Sequence, residues 1–139
     1  MNNLFVHLIY LPFLTRLEPM LQGDFFTTKQ QEIIEDTIHS QISLNVDHPI
    51  YEGHFPQQPV VPGVCMMQLL AELSTAALGR KVRLKKANQA KFLIPIIPQK
   101  NPLLDVKIKY SINEDSSLKI SASIQDSAVI FFKFKGTLA

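Results

Sequence analysis

Between Gly63 and Leu78 the chain reads GVCMMQLLAELSTAAL, and nearly every position is apolar or small. A helix that is apolar on all sides is a buried helix. Pro62 and Gly63 open it, and Gly79 is the expected C-cap. Arg80 and Lys81 follow, where the helix dipole favours cations. Elsewhere the apolar period is two. Thr37–Val46 alternates and predicts a strand, as do Val82–Leu93, Leu103–Ile112, Leu118–Ile124 and Ala128–Gly136. Pro95, Pro98, Pro102, the polar run Asn113–Ser117 and the pair Gln125–Asp126 separate these spans. Residues 25–35 fit either a strand or a short helix. Such spacing predicts an antiparallel meander, and one buried helix covered by it makes an α+β domain. There is no internal repeat and no low-complexity tract.

Two stretches stand outside this pattern. Pro49, Pro56, Pro59 and Pro62 punctuate a loop that also carries Phe55, Val60 and Val61. Each proline removes a backbone donor and restricts its predecessor, so this loop is neither helix nor central strand. Its apolar content predicts a segment pinned against the core. At the N-terminus, the apolar run Leu4–Leu14 is too short for a membrane span. It also lacks the basic lead and small-residue exit of a secretory signal. Residues 1–19 are read as an extension, with Met20 the expected start of a single 20–139 domain. The alternative is an amphipathic segment packed on that domain.

With 139 residues, 46% hydrophobic and 19% charged, the composition is that of one globular domain. A single cysteine excludes an internal disulfide framework and a multi-cysteine metal cluster. It also fits a reducing, cytoplasmic setting. The net charge of +2 hides an asymmetry. Residues 1–79 hold two basic residues against eight acidic ones, and residues 80–139 hold twelve against four. Arg80, Lys81, Arg83, Lys85, Lys86 and Lys91 follow one another with no acidic residue between them. This run is either a surface for an acidic partner or a solvated strand face. No aromatic residue interleaves it before Phe92 and no nucleic-acid motif accompanies it, which argues against nucleic acid.

Two features carry candidate chemistry. His54 lies in the proline-punctuated loop, whereas His7, His39 and His48 sit in less constrained contexts. A histidine held rigidly near neutral pKa can serve as a general base, or it can simply hydrogen-bond the loop backbone. On the apolar helix, Gln68, Glu72 and Thr75 fall at i, i+4 and i+7, so they share one face. A glutamate there needs a partner or stays protonated, and either condition suits acid–base chemistry or an interface hydrogen bond. The helix N-terminus at Gly63–Val64 offers backbone N–H groups to an oxygen that gains negative charge. Cys65 is read as a small buried hydrophobe.

Gly53-His54-Phe55-Pro56-Gln57-Gln58-Pro59-Val60-Val61-Pro62-Gly63-Val64 resembles the active-site signature of the hot-dog-fold 3-hydroxyacyl-(acyl-carrier-protein) dehydratases, the FabZ/FabA type. Ala90-Lys91-Phe92-Leu93-Ile94-Pro95-Ile96-Ile97-Pro98 is similar to that family's strand after the central helix. The resemblance implies a long helix wrapped by a curved antiparallel sheet, in a homodimer with each active site at the subunit interface. It implies loss of water from a (3R)-3-hydroxyacyl thioester to give the trans-2-enoyl thioester. His54 would take the proton next to the thioester carbonyl, and the Gly63 N–H would bind the carbonyl oxygen. An acidic residue on the other subunit's helix would help the hydroxyl leave. No metal or redox cofactor is implied, and the substrate would arrive on the phosphopantetheine of an acyl carrier protein.

Phe55, Pro62, Val64 and Met67 are the expected substrate-binding residues. Met66, Leu70 and Ile94–Ile97 either extend an acyl tunnel or form plain core. Arg80, Lys81 and Lys91 are the expected carrier-protein contacts. This chain departs from the family chiefly at the acid position, and to a lesser degree at Gln57 and at Gln99-Lys100. Fourteen positions after the histidine, where the family carries its acid, stands Gln68, and Glu72 follows four residues later. Three readings stay open. Glu72 supplies the acid from one turn away, about 6 Å along the axis. Alternatively, Gln68 only hydrogen-bonds while His54 both takes and returns the proton. Or the chain is a binding module or partner subunit without turnover. A hot-dog thioesterase, with Glu72 activating water, is the remaining enzyme alternative.

Overall fold

The computed structural model describes residues 21–52 and 58–139. In chain order the elements are β1 (Phe26–Ile34), β2 (Thr37–Leu44), a 3₁₀ turn (Pro49–Glu52), α1 (Gly63–Leu78), β3 (Leu84–Phe92), β4 (Leu103–Ile112), β5 (Leu118–Asp126) and β6 (Val129–Leu138). Six strands form one sheet in the order β1-β2-β4-β5-β6-β3, and every neighbouring pair is antiparallel. The α+β expectation of a long buried helix against an antiparallel sheet holds. The simple meander does not, because β1–β2 and β4–β5–β6 run in sequence but β3 breaks the series. β3 crosses to the far edge beside β6 instead of sitting between β2 and β4. Residues 25–35 resolve as strand β1.

Alternation decides which face is inside. On β2 the buried positions are Ile38, Ser40, Ile42 and Leu44, and on β5 they are Leu118, Ile120, Ala122 and Ile124. These line the face against α1, which packs on β1, β2, β3 and β6. Burying this layer is the main favourable term in folding. The helix begins after Pro62, in an extended conformation (φ −64°, ψ 144°), and ends at Gly79 in the left-handed region (φ 68°). Gly79 donates its N–H to the Thr75 carbonyl at 3.0 Å, which closes the last turn. Both edge strands carry register shifts, β1 at Thr28/Gln30 and β3 at Leu84/Lys86 and Ala87/Gln89. Bulges of this kind blunt an exposed edge.

Candidate active site

Gln68, Glu72 and Thr75 break the apolar surface of α1 and line one cleft of about 270 Å³, together with Gln22, Ala76, Lys81 and Val82. The two oxygens of Glu72 are both engaged. Oε2 accepts from Gln68 Nε2 at 3.0 Å, and Oε1 accepts the Gln22 backbone N–H at 2.8 Å. The Gln68 amide therefore turns its nitrogen toward the carboxylate and its carbonyl end away. The Thr75 hydroxyl accepts the Val82 N–H at 3.0 Å and donates to the Val82 carbonyl at 3.3 Å. It clamps the chain reversal after the helix, so of the three stripe residues Thr75 has a structural task.

At the other end of the cleft's helix, Pro62, Gly63 and Val64 are buried. The Pro62 carbonyl accepts the N–H groups of Cys65 (3.0 Å) and Met66 (3.2 Å). Helix geometry gives the Gly63 and Val64 N–H groups no intrahelical acceptor, so they suit a ligand oxygen. Just before the helix, Val61 donates to the Ile96 carbonyl at 2.9 Å. That bond joins the two motif-bearing stretches, which lie far apart in sequence. Leu93 and Ile94 in turn donate to the Phe131 carbonyl, which fixes the second stretch on β6.

Of the expected site residues, Gly63, Gln68 and Glu72 lie on one helix. His54 and Phe55 fall in 53–57, outside the described residues. Val64 and Met67 sit in the main hydrophobic core. The three expected carrier contacts have different surroundings. Arg80 Nη2 donates to the Ser116 carbonyl at 2.7 Å, Lys81 rims the cleft, and Lys91 lies on edge strand β3 opposite Lys133.

Near the site, Tyr51 escaped the sequence reading, His48 departs from it, and Cys65 is buried as expected. His48 is only 6% exposed; its Nδ1 accepts the Ile50 N–H at 3.1 Å, and its Nε2 meets Asp24 Oδ2 at 3.1 Å. Nδ1 is an acceptor, so the ring proton sits on Nε2 and points at the carboxylate. Its context is thus tightly constrained, contrary to the expectation for this histidine. Burial pushes the Cys65 thiol well above its ordinary range, and nearby Glu72 adds to the shift. Burial, with Cys65 beside it, does the same to the Tyr51 phenol. Among the described residues, Tyr51 Oη is the buried side-chain oxygen with no hydrogen-bond partner. No helix among them is long and apolar enough to cross a membrane.

Comparison with known proteins places this geometry among relatives. A family model, ApeI-like (ApeI dehydratase), matches residues 29–131. The 3-hydroxyacyl-[acyl-carrier-protein] dehydratase FabZ of Streptococcus pneumoniae (strain Hungary19A-6) is 43% identical over 54 residues, 39% of this chain. That stretch spans only 36% of the length of the curated relative. Among solved structures, the dehydratase heterocomplex ApeI:P from Xenorhabdus doucetiae superposes with a TM-score of 0.63 at 20% identity. The match covers 81% of this chain and 96% of that one. A phenylacetic acid degradation-related protein from Ralstonia eutropha JMP134 superposes with a TM-score of 0.58 at 16% identity, covering 93% and 98%. Both share the hot-dog fold.

Proposed function

The chain belongs to the ApeI-like dehydratase family, and from that premise we propose that it removes water from a (3R)-3-hydroxyacyl thioester. The product is the trans-2-enoyl thioester, and the substrate is carried on an acyl carrier protein. The site-level support is the hydrogen-bonded Gln68–Glu72 pair, on the same helix whose N-terminus presents Gly63. In this reading His54 takes the proton from the carbon beside the thioester carbonyl. The Gly63 N–H stabilises the oxygen as enolate character develops, a contribution worth about 2.7–4 kcal/mol where single donors have been removed elsewhere. The C–O bond then breaks, and the departing hydroxide takes a proton to leave as water.

Gln68 cannot supply that proton as a carboxylic acid does. Glu72 holds two acceptor contacts, which a carboxylate makes better than a protonated acid. It is therefore assigned to orienting Gln68 on the leaving hydroxyl, while His54 returns the proton it took. The substrate requires no metal or redox cofactor for this chemistry. The test is intact-mass analysis of a medium-chain 3-hydroxyacyl carrier protein after incubation with the purified chain. Loss of one water is expected, abolished by His54→Ala. Glu72→Gln is expected to keep most of the rate. A fall of about 10²–10⁴, the usual worth of a general acid, would instead make Glu72 the acid.

Gln68 at the acid position favours a second reading, that of a partner subunit. Here the chain pairs with a different dehydratase chain whose helix carries the missing acid. Turnover absent from the isolated chain but restored on mixing with such a partner would favour it. Release of free acid would point to a thioesterase instead.

A further inference from the structure

The face of the sheet turned away from α1 carries a grid of lysines and serines. Lys107 on β4 lies opposite Ser123 on β5, which lies opposite Lys133 on β6. One step along, Lys109, Ser121 and Lys135 repeat the order. The inward residues of the same strands, such as Val106, Ile108, Ile124 and Phe132, are buried, so these six point outward. They outline a trough of about 340 Å³, floored by the serines and walled by two lysines on each side. A second hollow of about 550 Å³ shares Lys109, Ser121 and Lys135 and continues the trough to Lys119.

This arrangement works against the fold's own stability. Lys91 stands directly opposite Lys133, and like charges so placed repel. Among the described residues the ion pair present is His48–Asp24, so none of these lysines is neutralised by a carboxylate. The acidic groups on this face lie at its margins: Asp105 beyond Lys107, Glu32 opposite His39, and Asp36 at the rim of the second hollow. Such a concentration of unpaired ammonium groups is relieved by an anionic ligand.

We propose that this trough docks an extended acidic segment of a partner protein, on the face opposite the catalytic helix. The spacing supports that occupant. Lysines two residues apart on one strand are separated by roughly 7 Å, and the walls, two strands apart, by about 10 Å. An extended polypeptide repeats its same-side groups every ~7 Å, so alternating carboxylates lying along β5 meet both walls in register. The Ser121 hydroxyl on the floor can donate to a backbone carbonyl of such a strand, while Ser123 Oγ donates to Gln125 Oε1 at 3.4 Å. The ring of Phe134, under the trough, is buried and offers no stacking platform for bases. The lysine walls offer no apolar wedge for lipid.

The inference does not depend on the dehydratase reading, and its test needs no turnover. A fluorescent peptide of alternating Glu and Ser is titrated with the full chain by anisotropy, at low and at physiological salt. Binding is expected, weakened as the Debye length falls to about 8 Å. Lys109→Glu/Lys135→Glu is expected to weaken it about tenfold or more. Lys29→Glu/Lys100→Glu, with the same change in net charge away from the trough, should change it less than about twofold. If charge reversal unfolds the chain, the neutral Lys109→Gln/Lys135→Gln pair replaces it. The proposal is overturned by absent binding at low salt, or by equal loss in the control pair. Tighter, trough-dependent binding of oligothymidylate or of phosphatidylserine vesicles overturns it too.

Discussion

His48→Ala removes a pin that holds the approach to the proline-punctuated loop. Three contributions are lost. The Ile50 N–H, on a residue only 7% exposed, loses its acceptor, at a cost of about 1–3 kcal/mol. The link to Asp24 contributes less, about 0–1 kcal/mol, because that carboxylate is 52% exposed. The ring also packs edge-on against Phe25, with centroids 5.3 Å apart at 80°, a geometry worth about 0.5–1.5 kcal/mol. The expected loss is about 1.5–5.5 kcal/mol in total. His48→Asn separates these effects. An asparagine oxygen can accept the N–H two residues on, as in an Asx turn, so it keeps the first contribution and loses the others. Urea denaturation followed by far-UV circular dichroism is the measurement. His48→Asn should fall about midway between wild type and His48→Ala, and Asp24→Asn should cost under about 1 kcal/mol. If His48→Asn is as unstable as His48→Ala, the Nδ1 contact is not what holds the turn.

Two further outcomes follow from burial and close packing. Cys65 and Tyr51 keep their protons in the folded state above the values of 9.0 and 10.0 at which they would otherwise ionise, so the unfolded state releases protons that the fold retains. Stability should therefore be full below pH 9 and fall as pH rises beyond it, with a slope of up to about 1.4 kcal/mol per unit for each group. Cys65→Ala should remove the part of that slope that begins near pH 9, measured as urea midpoint against pH. A Cβ at Gly136 would run into the Lys86 backbone carbonyl and lie 2.7 Å from the Phe134 ring. Gly136→Ala should cost about 1–3 kcal/mol and speed amide exchange in β3, and unchanged exchange there would refute the contact.

Local signals made the helix legible to the residue: proline at its start, glycine in the left-handed region at its end, and no proline or glycine between Gly63 and Gly79. The polar stripe was legible for the same reason, because i, i+4 and i+7 put Gln68, Glu72 and Thr75 into one cleft whatever surrounds the helix. β1 was not legible. As an edge strand it is mostly exposed and has no apolar alternation, and only its pairing with β2 decides its state. The crossing of β3 to the far edge was hidden too, since strand order is a long-range choice among many that satisfy the same pattern. The constraint on His48 comes from Asp24, and one bond to Glu72 comes from the backbone of Gln22. Neither partner announces itself in the local sequence.

On the proposed dehydratase reading, the amide at 68 and the acid at 72 act as one unit along α1. Hydrogen bonding within the pair runs one way, from the Gln68 nitrogen to Glu72 Oε2. With the Gln22 N–H on Oε1, the carboxylate is anchored from outside the helix as well. The amide's carbonyl end is turned away from the carboxylate, and an amide oxygen is an acceptor, suited to a substrate hydroxyl rather than to a departing hydroxide that needs a proton. In the proposed mechanism such a pair holds the 3-hydroxyl in place and leaves proton return to the base. Alternatively, it can leave that step to an acid on another chain. Neither arrangement needs Glu72 to travel one turn of helix toward the substrate. Both account for why an otherwise apolar, buried helix retains a charged residue with a fixed donor on each oxygen.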